Sequence, residues 1–347
     1  VAPARTQLAL KARVPELQEL ERVLSRLGSD AQRHIACEVQ GTPGQTLPLH
    51  VVTLGNPHAD AGVAYVGGVH GLERIGSAVV TAWLDSLVSR LEWDSSLHQL
   101  LERVRVVFIP IVNPGGMLRG TRANPQGVDL MRNAPVDALD AVPFLVGGQR
   151  ISAGLPWYRG RLGEPMQPES AALCDVVQRE LHGRKFSLAL DCHSGFGMRD
   201  RIWFPMAHRR QPIAHLAHLH ALNDIFEQSN NHHHYVFEPQ SRQYLAHGDL
   251  WDYSYMQACE AGQGVFLPLT LEMGSWLWVR KNPRQLFSRH GIFNPLIEHR
   301  QQRVLRRHFA LLDFTLRAAA SASAWLPEGD ALQTHRAAAM QRWYART

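Results

Sequence analysis

The chain lacks the features that would make it disulfide-stapled, membrane-spanning, fibrous or disordered. It has four cysteines in 347 residues, Cys37, Cys174, Cys192 and Cys259, with no CxxC pair among them. That excludes a disulfide scaffold, and reduced thiols fit a cytoplasmic protein. A periplasmic origin stays open should a signal upstream of Val1 have been removed. No apolar run reaches the roughly 18 residues of a membrane-spanning helix. Repeats and low-complexity linkers are missing, so a string of small domains is not expected. A strong charge of one sign is missing too: the net charge is +5. The densest basic run, 298–308, interleaves with apolar positions at helical spacing. It reads as a solvated helix face rather than a nucleic-acid stripe. Neither nucleic acid nor membrane is expected as a partner.

What is present is an ordinary globular balance, 45% hydrophobic against 19% charged residues. The length allows one large α/β domain with an ample core. Periodicity predicts strands at 35–40 and 47–54 around the turn Gly41-Thr42-Pro43-Gly44, then at 62–68, 104–112, 186–192 and 265–271. Helices are predicted at 15–27, 75–91, 169–181, 213–228, 248–258 and 300–319. Strands alternating with helices predict a twisted α/β sheet with helices on both faces. The early hairpin makes that sheet mixed parallel and antiparallel. One domain is expected over 1–325, with 326–347 a peripheral tail.

Four residues stand out at predicted strand ends, where open α/β sheets carry their sites. His70 and Glu73 sit in Gly67-Gly68-Val69-His70-Gly71-Leu72-Glu73, His193 ends Leu188-Ala189-Leu190-Asp191-Cys192-His193, and Glu272 ends an apolar strand. His70 and Glu73, three apart, reach one ion from one turn. Two histidines and a glutamate make a zinc site that leaves a coordination position for water. A further carboxylate serves as general base. The expected chemistry is metal-dependent hydrolysis of an amide bond, with a single zinc ion. The run His232-His233-His234 beside Asn230-Asn231 reads as an exposed loop rather than a second metal site, and His215, His218 and His220 as a solvent- or neighbour-facing set on one helix.

These residues, in this order, resemble the zinc carboxypeptidases related to the pancreatic enzyme (the funnelins). The likeness rests on the HxxE after a strand, Asn113-Pro114-Gly115-Gly116, Thr121-Arg122 and Gly127-Val128-Asp129-Leu130-Met131-Arg132-Asn133. It continues through Asp191-Cys192-His193-Ser194-Gly195, Tyr244 before Asp252-Tyr253-Ser254-Tyr255, and Leu271-Glu272-Met273-Gly274, covering about 45 to 320. The resemblance implies that His70, Glu73 and His193 hold zinc and that Asp129 orients His70 through its other ring nitrogen. It implies Glu272 as the base on the metal's water and Arg122 as a stabiliser of the oxyanion. It implies Arg132 as the clamp on a terminal carboxylate, Tyr244 as the tyrosine that closes over substrate, with Tyr235 a weaker competitor, and Trp251 as the position that sets side-chain preference. Trp276-Leu277-Trp278 would wall the cleft or lie in the core.

One position departs from the family pattern. Where Asp-Leu-Asn-Arg-Asn is usual, the first Asn is Met131 here. The carboxylate pocket thereby loses a polar donor. A carboxypeptidase acting on peptides is the leading expectation. An amidase or deacylase of the same fold, cutting a γ-glutamyl cell-wall peptide or an N-acyl amino acid, is the alternative. A non-catalytic metal or peptide binder is the third, and the intact base Glu272 argues against it.

Overall fold

The computed structural model describes residues 14–41 and 44–345. Thr42 and Pro43 of the expected hairpin turn lie outside the described residues, as do the first thirteen and last two positions. Eight strands form one mixed sheet: β1 Ala31–Gln40, β2 Thr46–Gly55, β3 Ala61–Gly67, β4 Val104–Ile109, β5 Phe186–Ser194, β6 Arg201–Phe204, β7 Val236–Pro239 and β8 Val265–Met273. Their order is β1-β2-β4-β3-β5-β8-β6-β7. The centre, β4-β3-β5-β8, is parallel. The β1–β2 and β2–β4 pairs are antiparallel, as is β6–β8. β3, β4 and β5 are buried along their whole length, which is why they read as continuous apolar runs rather than alternating ones.

Helices cover both faces. Arg74–Arg90 and Glu298–Ala320 pack against each other and against β3 and β5, while Pro168–Glu180 and Leu250–Ala261 pair beside β1 and β8. The Tyr65 hydroxyl, fully buried on β3, donates to the Leu312 carbonyl at 2.8 Å and so pins the Glu298–Ala320 helix to the sheet. Burying it unpaired would carry a desolvation cost.

Three things differ from the sequence reading. β1 begins at Ala31, because its polar first half is held by pairing with β2 rather than by burial. β6 and β7, four residues each, carry too little pattern to be seen. In the stretch 326–347, expected as a peripheral tail, the described residues to 345 form the helix Gly329–Ala339 followed by a turn, and both Ala339 and Trp343 enter the hydrophobic core. The Trp343 indole donates to the Phe237 carbonyl at 2.8 Å, tying this segment to the β7 edge. Its exposed polar helix face hides that anchor from a periodicity reading.

Candidate active site

The three central parallel strands β3, β5 and β8 end at the same edge of the sheet. β5 and β8 run in register with His193 opposite Glu272 and Asp191 opposite Thr270. β3 leads through Gly68 into the loop of His70 and Glu73. Gly68 has φ +67°, and a Cβ there would strike the Ser77 hydroxyl. At Gly71 a Cβ would run into the Gly116–Met117 backbone. Both positions therefore need glycine to bring His70 down onto the sheet edge. Asn113 caps the helix Pro114–Arg119, accepting from the Gly116 N–H at 2.8 Å, and its amide donates to the Val69 carbonyl at 3.3 Å. The Asn-Pro-Gly-Gly element is thus the brace between the two loops.

His70, Glu73 and His193 converge. His70 Nδ1 lies 2.8 Å from Glu73 Oε1, His193 Nδ1 lies 3.0 Å from Glu73 Oε2, and the two Nδ1 atoms are 3.2 Å apart. All three are buried. The other ring nitrogens are both engaged: His70 Nε2 meets Asp129 Oδ1 at 3.1 Å, and His193 Nε2 meets Asp191 Oδ2 at 2.7 Å. Each imidazole thereby turns Nδ1 toward the common centre. Although burial alone would do the opposite, His70 and His193 hold the Glu73 carboxyl well below the usual range, and Asp191 and Glu73 hold His193 well above. Its two imidazole nitrogens and carboxylate are a donor set that suits zinc.

Around this centre, the Arg122 guanidinium donates to Asp129 Oδ2 at 2.8 Å and to Glu73 Oε1 at 3.2 Å. Arg132, almost fully buried, donates to the Tyr244 hydroxyl at 3.2 Å and approaches Asp249 Oδ2 to 3.9 Å. Tyr244 packs on Trp203 and Phe196. Arg122, Arg132, Tyr244 and Asp249, together with Met131, Gln240 and Glu272, line a cavity of about 20 Å³, room for about one water molecule.

Glu272 faces this cavity with its Oε2 buried and without a hydrogen-bond partner among the described residues. Burial, and then the charge of Glu73, push its carboxyl up to about 8, against the pull of His193 and Arg122. A carboxyl raised above its ordinary 4.5 contributes its stability below that value and loses it as pH rises through about 8. Metal-free Glu272→Gln is therefore expected to melt ~2 °C or more above metal-free wild type at about pH 9, with the gap closing near pH 5. Thermal melts in chelator at the two pH values check this; a gap of the same size at both would mean the charge of Glu272 is not its source.

Trp251 is not where the sequence reading put it. It is buried in the core, away from the cavity, and its indole donates to Asp191 Oδ2 at 2.9 Å. The reason is the helix start: Asp249 caps Leu250–Ala261, accepting from the Trp251 and Asp252 N–H groups, which turns Trp251 behind His193 and leaves Asp249 facing the cavity. Tyr235 also lies elsewhere, bonded to His308 Nδ1 at 2.8 Å. Trp278 is core, and Trp276 is half-exposed with its indole on the Gly195 carbonyl. Asp191 and Asp249 were missed. Asp191 could have been found two residues before His193, on the same side of the strand; Asp249 carried no signal beyond a capping position.

An α/β fold with a His–Glu–His group at the carboxyl ends of parallel strands, and a buried carboxyl beside it, defines a class of metal-dependent hydrolases. This chain belongs to the zinc carboxypeptidase family, whose profile matches residues 20–275. Family members use zinc, and His70, Glu73 and His193 are positioned to bind it. The fold is shared with thrombin-activatable fibrinolysis inhibitor (TM-score 0.64, 17% identity, 87% of this chain and 72% of that one). It is shared with the bovine form of that protein, solved with tick carboxypeptidase inhibitor (TM-score 0.63, 18% identity, 88% and 96%). Carboxypeptidase A from Helicoverpa armigera is similar too (TM-score 0.61, 18% identity, 88% and 72%). No curated protein sequence matches the chain.

Proposed function

We propose that the protein is a metallocarboxypeptidase that hydrolyses the carboxy-terminal peptide bond of a peptide, with His70, Glu73 and His193 as the zinc ligands and Glu272 as the base. The observation that carries this reading is the register of β5 and β8, which sets Glu272, with its Oε2 buried and unpartnered among the described residues, opposite His193. When bound, zinc supplies a Lewis acid and acidifies water. Glu272 then accepts a proton from the attacking water and returns it to the leaving amine. Arg122 donates toward the oxygen that gains charge, and Asp129 keeps its guanidinium aimed. Arg132 receives the terminal carboxylate once Tyr244 yields its place.

A second reading is favoured by one feature. Met131 lines the cavity next to Arg132 and offers it no side-chain donor. A substrate with its acid group set differently, as in a γ-glutamyl or N-acyl amide, fits that loss. Mass spectrometry of a peptide library with free and amidated ends, treated with zinc-loaded protein, separates the two. Loss of terminal residues from the free-ended set alone supports the carboxypeptidase; cleavage of γ-glutamyl or N-acyl amides only supports the alternative. On free-ended peptides Arg132→Ala should raise KM about 10- to 100-fold, corresponding to a lost charge-assisted contact of ~1.5–3 kcal/mol. An equal loss on amidated substrates would remove its clamp role.

A further inference from the structure

The helix Gly329–Ala339 lies beyond the stretch that the family profile matches and packs against the helix Leu216–Ser229. Where they meet, His220 and His335 turn the same ring nitrogen toward each other, with Nδ1 atoms 2.9 Å apart. Asp224, one helical turn after His220, adds a carboxylate on the same face. The three donor atoms all lie within 4.8 Å of one another. Among the described residues only one other group meets that condition, His70, Glu73 and His193.

The surroundings suit a cation. His220 is 9% exposed, and Asp224 and His335 are half-buried, so the cluster is walled on one side and open to solvent on the other. The wall is Trp343, whose ring centroid lies 5.8 Å from that of His220. The nearby charges are accounted for: the Arg342 guanidinium is paired with Glu227, at 3.1 Å for its longer contact, which leaves the Asp224 carboxylate facing the two imidazoles.

We propose that His220, Asp224 and His335 form a second metal site, for zinc or a similar borderline divalent ion, that clamps the carboxy-terminal helix to the Leu216–Ser229 helix. Two imidazoles and a carboxylate suit zinc, cobalt or nickel and not calcium or magnesium. Ligand bonds of about 2.0–2.1 Å at a tetrahedral ion set two nitrogens about 3.3 Å apart, so the rings need to open by only a few tenths of an ångström. The fourth position faces solvent. The role is structural: an ion held only in the folded state stabilises it by mass action.

The test is metal content after chelator treatment and dialysis against micromolar zinc. Wild type should hold two zinc ions per chain, and His335→Ala and Asp224→Asn one each, with kcat/KM unchanged. His193→Ala should hold one, and the His193→Ala/His335→Ala double variant none. Zinc should raise the melting temperature of His193→Ala and leave that of the double variant where it was. Two variants on different helices guard against a folding defect in either. A single zinc in wild type with none in His193→Ala, or two ions undiminished in both His335→Ala and Asp224→Asn, would overturn the site.

Discussion

Replacing Glu272 by Gln is expected to lower kcat/KM by about 10³-fold or more, the scale on which a positioned general base contributes, while zinc content stays at the wild-type level. Glu272 is not one of the three convergent donor groups. Its side chain is buried in the cavity wall, and its Oε2 has no hydrogen-bond partner among the described residues. Gln keeps the size and removes only the capacity to accept and return a proton. The same substitution removes a charge that burial and Glu73 disfavour. In the metal-free protein above pH 8 the variant should therefore be the more stable one, although in the zinc-loaded protein it is the less active, as at sites where function is kept at a cost to the fold. Metal analysis and turnover measured on the same preparation check this. Retained turnover would assign the proton transfer to another group, and loss of zinc would make Glu272 part of the metal site.

The second large effect is expected at β5. His193→Ala should lose the active-site zinc and turnover together, because one of three ligands is gone and Glu73 is left as a buried carboxylate beside a single histidine. Asp191→Asn should act more mildly. The ligand stays, but the carboxylate that holds His193 Nε2 at 2.7 Å and also accepts from Trp251 becomes an amide. Zinc affinity should fall about 10- to 100-fold, and excess zinc should restore turnover. That rescue separates a residue that positions a ligand from one that takes part in the reaction. Failure of excess zinc to restore Asp191→Asn would mean that Asp191 does more than orient the ring.

Much of the candidate site was legible because its residues sit at strand ends with local signatures. The HxxE lies between glycines that only a tight turn requires, and Asp129 follows Gly127 within one short motif. Long apolar runs made β3, β4, β5 and β8 visible, since strands buried on both faces leave no alternation to interpret. Short β6 and β7 were invisible because four residues carry almost no periodic signal.

The residue types of the metal centre and the mixed α/β class follow from the amino-acid order alone, because each depends on local spacing, while the loss of a polar donor at Met131 is legible only against the pattern of the family the sequence resembles. Tertiary structure decided the rest. It set His193 beside Glu272 through a strand pairing that spans nearly eighty residues of chain. It turned Trp251 from the cavity to Asp191 through the cap at Asp249, and brought His335 onto His220 across 115 positions. Contacts between residues so far apart in the chain depend on how the sheet and helices pack, and no local pattern carries that information.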